Sequence, residues 1–427
     1  MPRIASSLTP RVWFHQRGTR VAELEPQRRD AKVSDRSYDI VLFGATGFTG
    51  RLTADYLARH APAGCRWALA GRNQAKLEAV RAELATMDSS ASAALAQLPL
   101  LTADVGDPAS LAAVAGSTRV LISTVGPYLR YGEPLVAACA EAGTDYLDLT
   151  GEPEFVDLMY ARYHQQAVRS GARLVHCCGF DSIPHDLGVF FTVGLLPDDV
   201  PITVDGVVRA GGRPSAGTVQ STITALSRVR GSAEAARGRR ALEQRPEGRR
   251  ARAVPTPPRR ADGLWLIPLP TIDPQVVARS ARALPRYGPD FTYHHYAGVR
   301  KLPVALGGAV GLAALIGLVQ LPPARRMLSS RFESGTGPSA QERARSWFTV
   351  RFTATAGSRR VVTEVSGGDP GYDETAKMLA ESALCVAFDD LPAAAGQLTT
   401  AVAMGQPLID RLTRAGLQFR VLEQPGR

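Results

Sequence analysis

From Tyr38 onward the chain alternates short, continuous apolar runs with stretches whose apolar residues recur at helical spacing. Apolar runs closed by Gly, Asp or Pro predict buried strands, and the periodic stretches between them predict helices. Tyr38–Phe43, Arg66–Ala70, Leu98–Ala103, Arg119–Val125, Asp145–Leu149 and Arg173–Cys178 are six such runs in succession. Helices are expected after Gly50, from about Gln74, and from Glu133 to Ala142. Repeated βαβ units of this kind require a parallel, doubly wound sheet with right-handed crossovers.

The pattern changes after Asp181. Val204–Arg209 predicts the first strand of a second region, and Gly211–Thr218 a flexible loop that opens a helix and either closes over substrate or simply connects. Trp347–Thr355 and Arg360–Ser366 alternate as antiparallel strands turning at Gly357. Gly367–Gly371 then turns into a helix reaching about Phe388. The expected class is therefore α/β, with an N-terminal doubly wound Rossmann domain over residues 38–181. A second α+β domain is expected over 182–427, with homodimer contacts and its C-terminal helices packing back on the first. Two domains suit a chain of 427 residues.

Leu302–Val319 departs from both patterns: it is eighteen residues without a charge, flanked by Arg300-Lys301 and Arg325-Arg326. It meets the lower length limit for a membrane span, but Pro303 and four glycines dilute it. Three readings stand: a buried helix, an apolar helix touching a membrane or a lipidated carrier, and a true span.

Charge narrows the function classes. The net charge is +10, but residues 1–37 contribute +4 and residues 228–260 contribute +8. Both stretches lack apolar periodicity, so residues 1–37 read as a disordered basic extension and 228–260 as an Arg-rich solvated loop. No nucleic-acid module accompanies the charge, which argues against a nucleic-acid partner. The five cysteines show no CxxC spacing. A cytoplasmic setting is expected, with peripheral plasma-membrane contact through 302–319.

The first strand ends in Gly44, and the turn Gly44-Ala45-Thr46-Gly47-Phe48-Thr49-Gly50 leads into a helix. This is a dinucleotide fingerprint in its proper strand–turn–helix context. Gly44 permits the turn, Gly47 admits a pyrophosphate and Gly50 lets helix and strand close up. Thr46, Phe48 and Thr49 lie on the same turn. The next strand ends in Arg72, where an NAD site would place an acid, and the first acid downstream is Glu78. A guanidinium there suits the 2′-phosphate of NADPH, and Lys76 adds a second charge. Asp104, at the third strand's end, is the expected adenine-edge contact, and Thr124, Val125 and Gly126 pass the ribose and nicotinamide.

These motifs resemble the saccharopine dehydrogenase-like oxidoreductases, and most closely their actinobacterial trans-acting enoyl reductase branch. The stretches that carry the likeness are YDIVLFGATGFTGRLTADYLARH, ALAGRN, ISTVGPYLRYGEPLVAACAEAGTDYLDLTGEP and VHCCGFDSIPHDLG, with SGTGPS, GGDPGY and LTTAVAMGQPLIDRL further on. The likeness implies reduction of a 2-enoyl thioester, a lipid or polyketide intermediate that is carrier- or synthase-bound, in glycolipid assembly. Proton donors near the expected cleft are Tyr128, Tyr131, Asp181, Ser182 and His185. Tyr128 is favoured for its place beside the nicotinamide, and Asp181 stands beside it as the second candidate. Packing on the cofactor is the competing role for Tyr128, and helix capping for Asp181-Ser182. No metal set is expected, because His294 and His295 are adjacent and diverge in either regular structure. An imine or carbonyl reductase, or a non-catalytic NADPH-binding scaffold, are the alternatives.

Overall fold

The computed structural model describes residues 35–87, 92–212, 216–321 and 337–423, with 323, 324 and 327. The extension before Asp35, Arg325-Arg326 and the first half of SGTGPS lie outside the described residues. The first half of the chain runs β1 (Tyr38–Phe43), α1 (Phe48–His60), β2 (Trp67–Gly71), α2 (Gln74–Ala85), β3 (Leu100–Thr102), α3 (Pro108–Ser117) and β4 (Thr118–Ser123). It continues through α4 (Glu133–Ala142), β5 (Asp145–Asp148), α5 (Pro153–Ser170) and β6 (Arg173–Val175). These strands form a parallel sheet in the order β3-β2-β1-β4-β5-β6, the doubly wound arrangement whose order reverses between β1 and β4. Burial on both faces explains the continuous apolar runs: Ile40, Val41, Leu42, Ala68, Leu69, Leu121 and Ile122 are all fully enclosed.

The second half begins with α6 (Ile183–Val193), β7 (Ile202–Gly211), α7 (Ala216–Ser227) and α8 (Val229–Leu242). Then come β8 (Arg250–Ala253), β9 (Arg259–Ala261), β10 (Leu264–Pro268), α9 (Asp273–Ala283), β11 (Asp290–Val299) and α10 (Leu302–Val319). The chain closes with β12 (Trp347–Ala356), β13 (Arg359–Gly367), α11 (Asp373–Phe388), β14 (Gly396–Leu398), α12 (Gly405–Arg414) and β15 (Gln418–Glu423). A second, mixed sheet takes the order β15-β13-β12-β7-β11-β10-β9, with β8 pairing β11 off that path. α6 is buried nearly all round, which suits a helix set in the core rather than on the surface. A Cβ on its Gly188 would fall 2.3 Å from the Phe352 ring of β12, so the glycine lets the helix close onto the second sheet.

Three expectations change. Residues 228–260 are not a loop but hold α8, β8 and β9. The stabilising face of α8 is ionic: buried Arg239 pairs with Asp157 of α5 at 2.6 Å, and Arg228 grips Glu154 with two bonds of 2.7 Å. An apolar-periodicity test is blind to such a face. The folded unit also starts before Tyr38: Arg36 is buried and donates to the carbonyls of Ala115, Thr118 and Ala142, where α3 and α4 end. The buried-helix reading of 302–319 is overturned as well. The helix forms, but Val304, Leu306, Val310 and Leu318 are exposed, Val310 to 70%. No helix among the described residues is long and apolar enough to cross a membrane.

The C-terminal part returns to the first sheet, and more intimately than by helix packing alone. β14 adds a seventh strand, parallel to β6 with Gly396 opposite Arg173.

Candidate active site

The carboxyl ends of β1 to β6 open onto one cavity of about 890 Å³, beside the point where strand order reverses. Gly44 leaves β1 at φ +90°, and a Cβ there would sit 2.7 Å from both Thr124 Oγ1 and Val125 Cγ2. Gly50 is as constrained, since its Cβ would lie 2.2 Å from the Gly44 carbonyl oxygen. Those two contacts hold α1 against the turn. Gly47 is the N-cap of α1 without a side-chain hydrogen bond. The first-turn N–H groups are thereby left for phosphate oxygens. Thr124 Oγ1 braces the turn by donating to the Gly44 carbonyl at 3.0 Å. Thr46, Phe48, Thr49, Val125 and Gly126 also line the cavity, and Phe48 meets Tyr372 edge-on at 4.8 Å.

Beyond β2, Asn73 Oδ1 accepts the Lys76 N–H at 2.9 Å and caps α2, so the chain turns sharply and leaves Arg72 exposed at the cavity rim with Lys76. Glu78 takes a hydrogen bond from Gln74 at 3.2 Å, so the carboxylate nearest in sequence is bound within α2. A glycine cradle with no room for a Cβ, an open helix start and a pair of rim cations fit a dinucleotide with a 2′-phosphate. Asp104 lines the same cavity, and its Oδ1 accepts the Gly106 N–H at 2.8 Å.

The two proton-donor candidates separate here. Tyr128 is 6% exposed; its hydroxyl donates to the Ser123 carbonyl at 3.0 Å and accepts the Leu149 N–H at 3.2 Å. Burial raises its pKa well above the usual tyrosine range, with Asp148 adding to the effect. Tyr128 thus lines the cavity as Asp181 does, while its hydroxyl is taken up in tying the ends of β4 and β5 together. Asp181 lines the cavity with its carboxyl against Gly151, whose Cβ would come within 3.0 Å of Oδ2. Burial, reinforced by Asp273 and tempered by His185, pushes Asp181 up to about 6. Ser182 sits at the N-cap of α6, but its hydroxyl donates to the Asp181 carbonyl instead of capping. Tyr131 lines the cavity beneath the Arg130 guanidinium, and His185 is turned into the core.

Sequence reading missed Glu152. This carboxylate lines the cavity and accepts the N–H groups of Tyr128 (3.0 Å) and Leu129 (2.9 Å), pinning the turn after β4. Burial raises its pKa, opposed by those two N–H groups. The far wall comes from the second sheet region: Ala210, Gly211 and Gly212 after β7, and Pro370–Tyr372 with Thr375 before and within α11. Thr375 Oγ1 accepts the Phe180 N–H at 3.1 Å, which joins that wall to the end of β6. The motif GGDPGY was a signal for this wall, although nothing in neighbouring residues placed it against β6.

The saccharopine dehydrogenase NADP-binding domain matches residues 40–175, the span that carries the cradle. A protein of Mycobacterium tuberculosis H37Rv, provisionally named a trans-acting enoyl reductase, is 39% identical over 422 residues, covering 91% of this chain and 98% of its own. A trans-acting enoyl reductase of Mycobacterium bovis BCG is 37% identical over 419 residues, covering 90% and 97%. Among solved structures, apo saccharopine dehydrogenase (L-Glu forming) from Saccharomyces cerevisiae superimposes with a TM-score of 0.52 at 13% identity, over 90% of this chain and all of the other; that likeness shows the fold alone. The protein is an NADPH-dependent oxidoreductase.

Proposed function

This chain belongs to the trans-acting enoyl reductases built on a saccharopine dehydrogenase NADP-binding domain, and from that premise we propose that it reduces the double bond of a 2-enoyl thioester. NADPH, when bound, supplies hydride to the β-carbon. Gly44, Gly47 and the start of α1 hold the pyrophosphate, and Arg72 with Lys76 holds the 2′-phosphate. Asp181 delivers the proton to the α-carbon, which completes the two-electron, two-proton-equivalent reduction. The observation that carries this reading is a cavity-facing carboxyl with a pKa near 6, in the same cleft as the dinucleotide cradle. Tyr128 and Glu152 keep the nicotinamide side of the cleft in shape.

The substrate class we infer is a long acyl or polyketide chain bound to a carrier or synthase, in lipid assembly. Helix α10 supports a lipid setting: its exposed apolar side chains follow Arg300 and Lys301, a pairing suited to an anionic membrane surface. Two measurements test these readings. NADPH oxidation should require a 2-enoyl thioester and yield the saturated acyl product by mass spectrometry. Turnover of imines or ketones alone would replace the enoyl assignment. The protein should co-sediment with anionic phospholipid vesicles, and Val310→Glu should reduce that binding. Equal sedimentation of both proteins would remove α10 from membrane contact.

A further inference from the structure

Three side chains beside the cleft take no part in the reaction above. His185 lies in the first turn of α6, Asp273 begins α9 and His295 sits in the middle of β11. All three are buried, none more than 6% exposed. His185 Nδ1 is 2.9 Å from Asp273 Oδ1, and His295 Nε2 is 3.5 Å from Asp273 Oδ2. One donor atom from each falls within 4.8 Å of the others.

A buried carboxylate with an oxygen left short of hydrogen-bond donors requires a positive partner. Among the described residues Asp273 has two imidazoles and the Thr271 hydroxyl beside it, and no Arg or Lys ion pair. The positive charge is either a proton on an imidazole or a metal ion. Alignment separates the two. A proton bridging His185 and Asp273 would lie along the line from Nδ1 to Oδ1. Those atoms are close but not aligned for a hydrogen bond, and neither has another hydrogen-bond partner. Two buried, unpartnered donor atoms with a third ligand atom beside them leave a point at which an ion can sit.

Distances agree with an ion at that point. Nitrogen and oxygen ligands about 2.0–2.1 Å from a tetrahedral zinc ion stand roughly 3.4 Å apart, and the carboxylate reaches one imidazole through each oxygen, at 2.9 Å through Oδ1 and 3.5 Å through Oδ2. His295 also carries the outer contact typical of a ligating imidazole, since its Nδ1 is 3.0 Å from the Tyr293 hydroxyl. Tyr293 and His295 share the inward face of β11, while His294 points the other way to the Val254 carbonyl.

We propose that His185, Asp273 and His295 bind a divalent transition-metal ion of the zinc type, leaving one coordination position open. The ion joins α6, α9 and β11 next to Phe180, whose ring meets His185 edge-on at 5.6 Å, and so stiffens the wall that carries Asp181; because its charge offsets the Asp273 carboxylate, the value of about 6 for Asp181 belongs to the metal-free protein.

The test uses full-length protein stripped with a chelator and dialysed against Zn²⁺ or Co²⁺. About one ion per chain should be retained, and Co²⁺ should give the visible absorption of a four-coordinate site. His295→Gln and Asp273→Asn should each weaken Zn²⁺ binding at least tenfold, and Tyr293→Phe about tenfold, while NADPH titration reports that the proteins remain folded. Stripped wild-type protein that takes up no stoichiometric Zn²⁺ or Co²⁺ overturns the site. Undiminished binding in His295→Gln also overturns it. If Asp273→Asn fails to fold, His295→Gln carries the decision, because it leaves the carboxylate in place.

Discussion

Arg72 and Asp181 do opposite electrostatic work in one cleft. Arg72 is exposed at the end of β2, and its use is to meet an anion. Arg72→Asp should weaken NADPH roughly 10- to 100-fold, the value of a charge-assisted hydrogen bond, and leave NADH nearly unchanged in a fluorescence titration. Equal losses for both would sink the 2′-phosphate assignment. Asp181 must be protonated to give its proton away. Its pKa of about 6 therefore sets activity highest below pH 6, with a fall of about tenfold per unit above it. Asp181→Asn should lower kcat and abolish that alkaline limb, whereas Tyr128→Phe should keep the limb and lose stability by about 1 kcal/mol. A limb that survives in Asp181→Asn moves the donor elsewhere.

At the scale of elements, α8 shows how a helix can be held by charge. Arg239, 3% exposed, reaches Asp157, which is 1% exposed and also takes a bond from Gln275 at 2.7 Å. Glu243, just past α8, gathers Arg239, Arg279 and Arg282. Removing one partner leaves an uncompensated buried charge, so Arg239→Ala should cost about 3–5 kcal/mol in denaturant unfolding. Arg237→Ala, on the same helix but exposed, should cost little. Comparable losses would mean that α8 is held by its packing and not by the ion pair. The sequence showed the eleven arginines of 228–260 as one charged block. Which of them faces an acid depends on distant elements: Glu154 and Asp157 of α5, Asp205 of β7 and Asp290 of β11.

At the scale of the molecule, the last part of the chain completes the first sheet. β14 lies beside β6, and the Gln397 N–H donates to His164 Nδ1 of α5 at 3.0 Å. Burial, with Arg279 nearby, lowers His164 to about 4. The neutral imidazole is thus favoured by folding. Its contribution is full above the unfolded value near 6.5 and is lost as pH falls toward 4. Melting temperature should drop across that window, and His164→Gln should remove part of the slope. An unchanged slope would show that β14 does not depend on this bond.

The sequence by itself determined the first sheet, the glycine cradle and the NADPH preference. Each is local: a strand's apolar run, a turn's need for glycine and a cation at a strand end are written in adjacent residues. Only the tertiary structure decided that Tyr128 is tied between β4 and β5 while Asp181 faces the cleft, that α10 is exposed, and that β14 joins the first sheet. The same holds for the meeting of His185, Asp273 and His295: reasoning from neighbours in the chain weighed only His294 with His295, which diverge, and took His185 as a proton-donor candidate. Convergence of distant side chains depends on how helices and sheets pack, and burial then sets their charge; neither has a short-range signature in the chain.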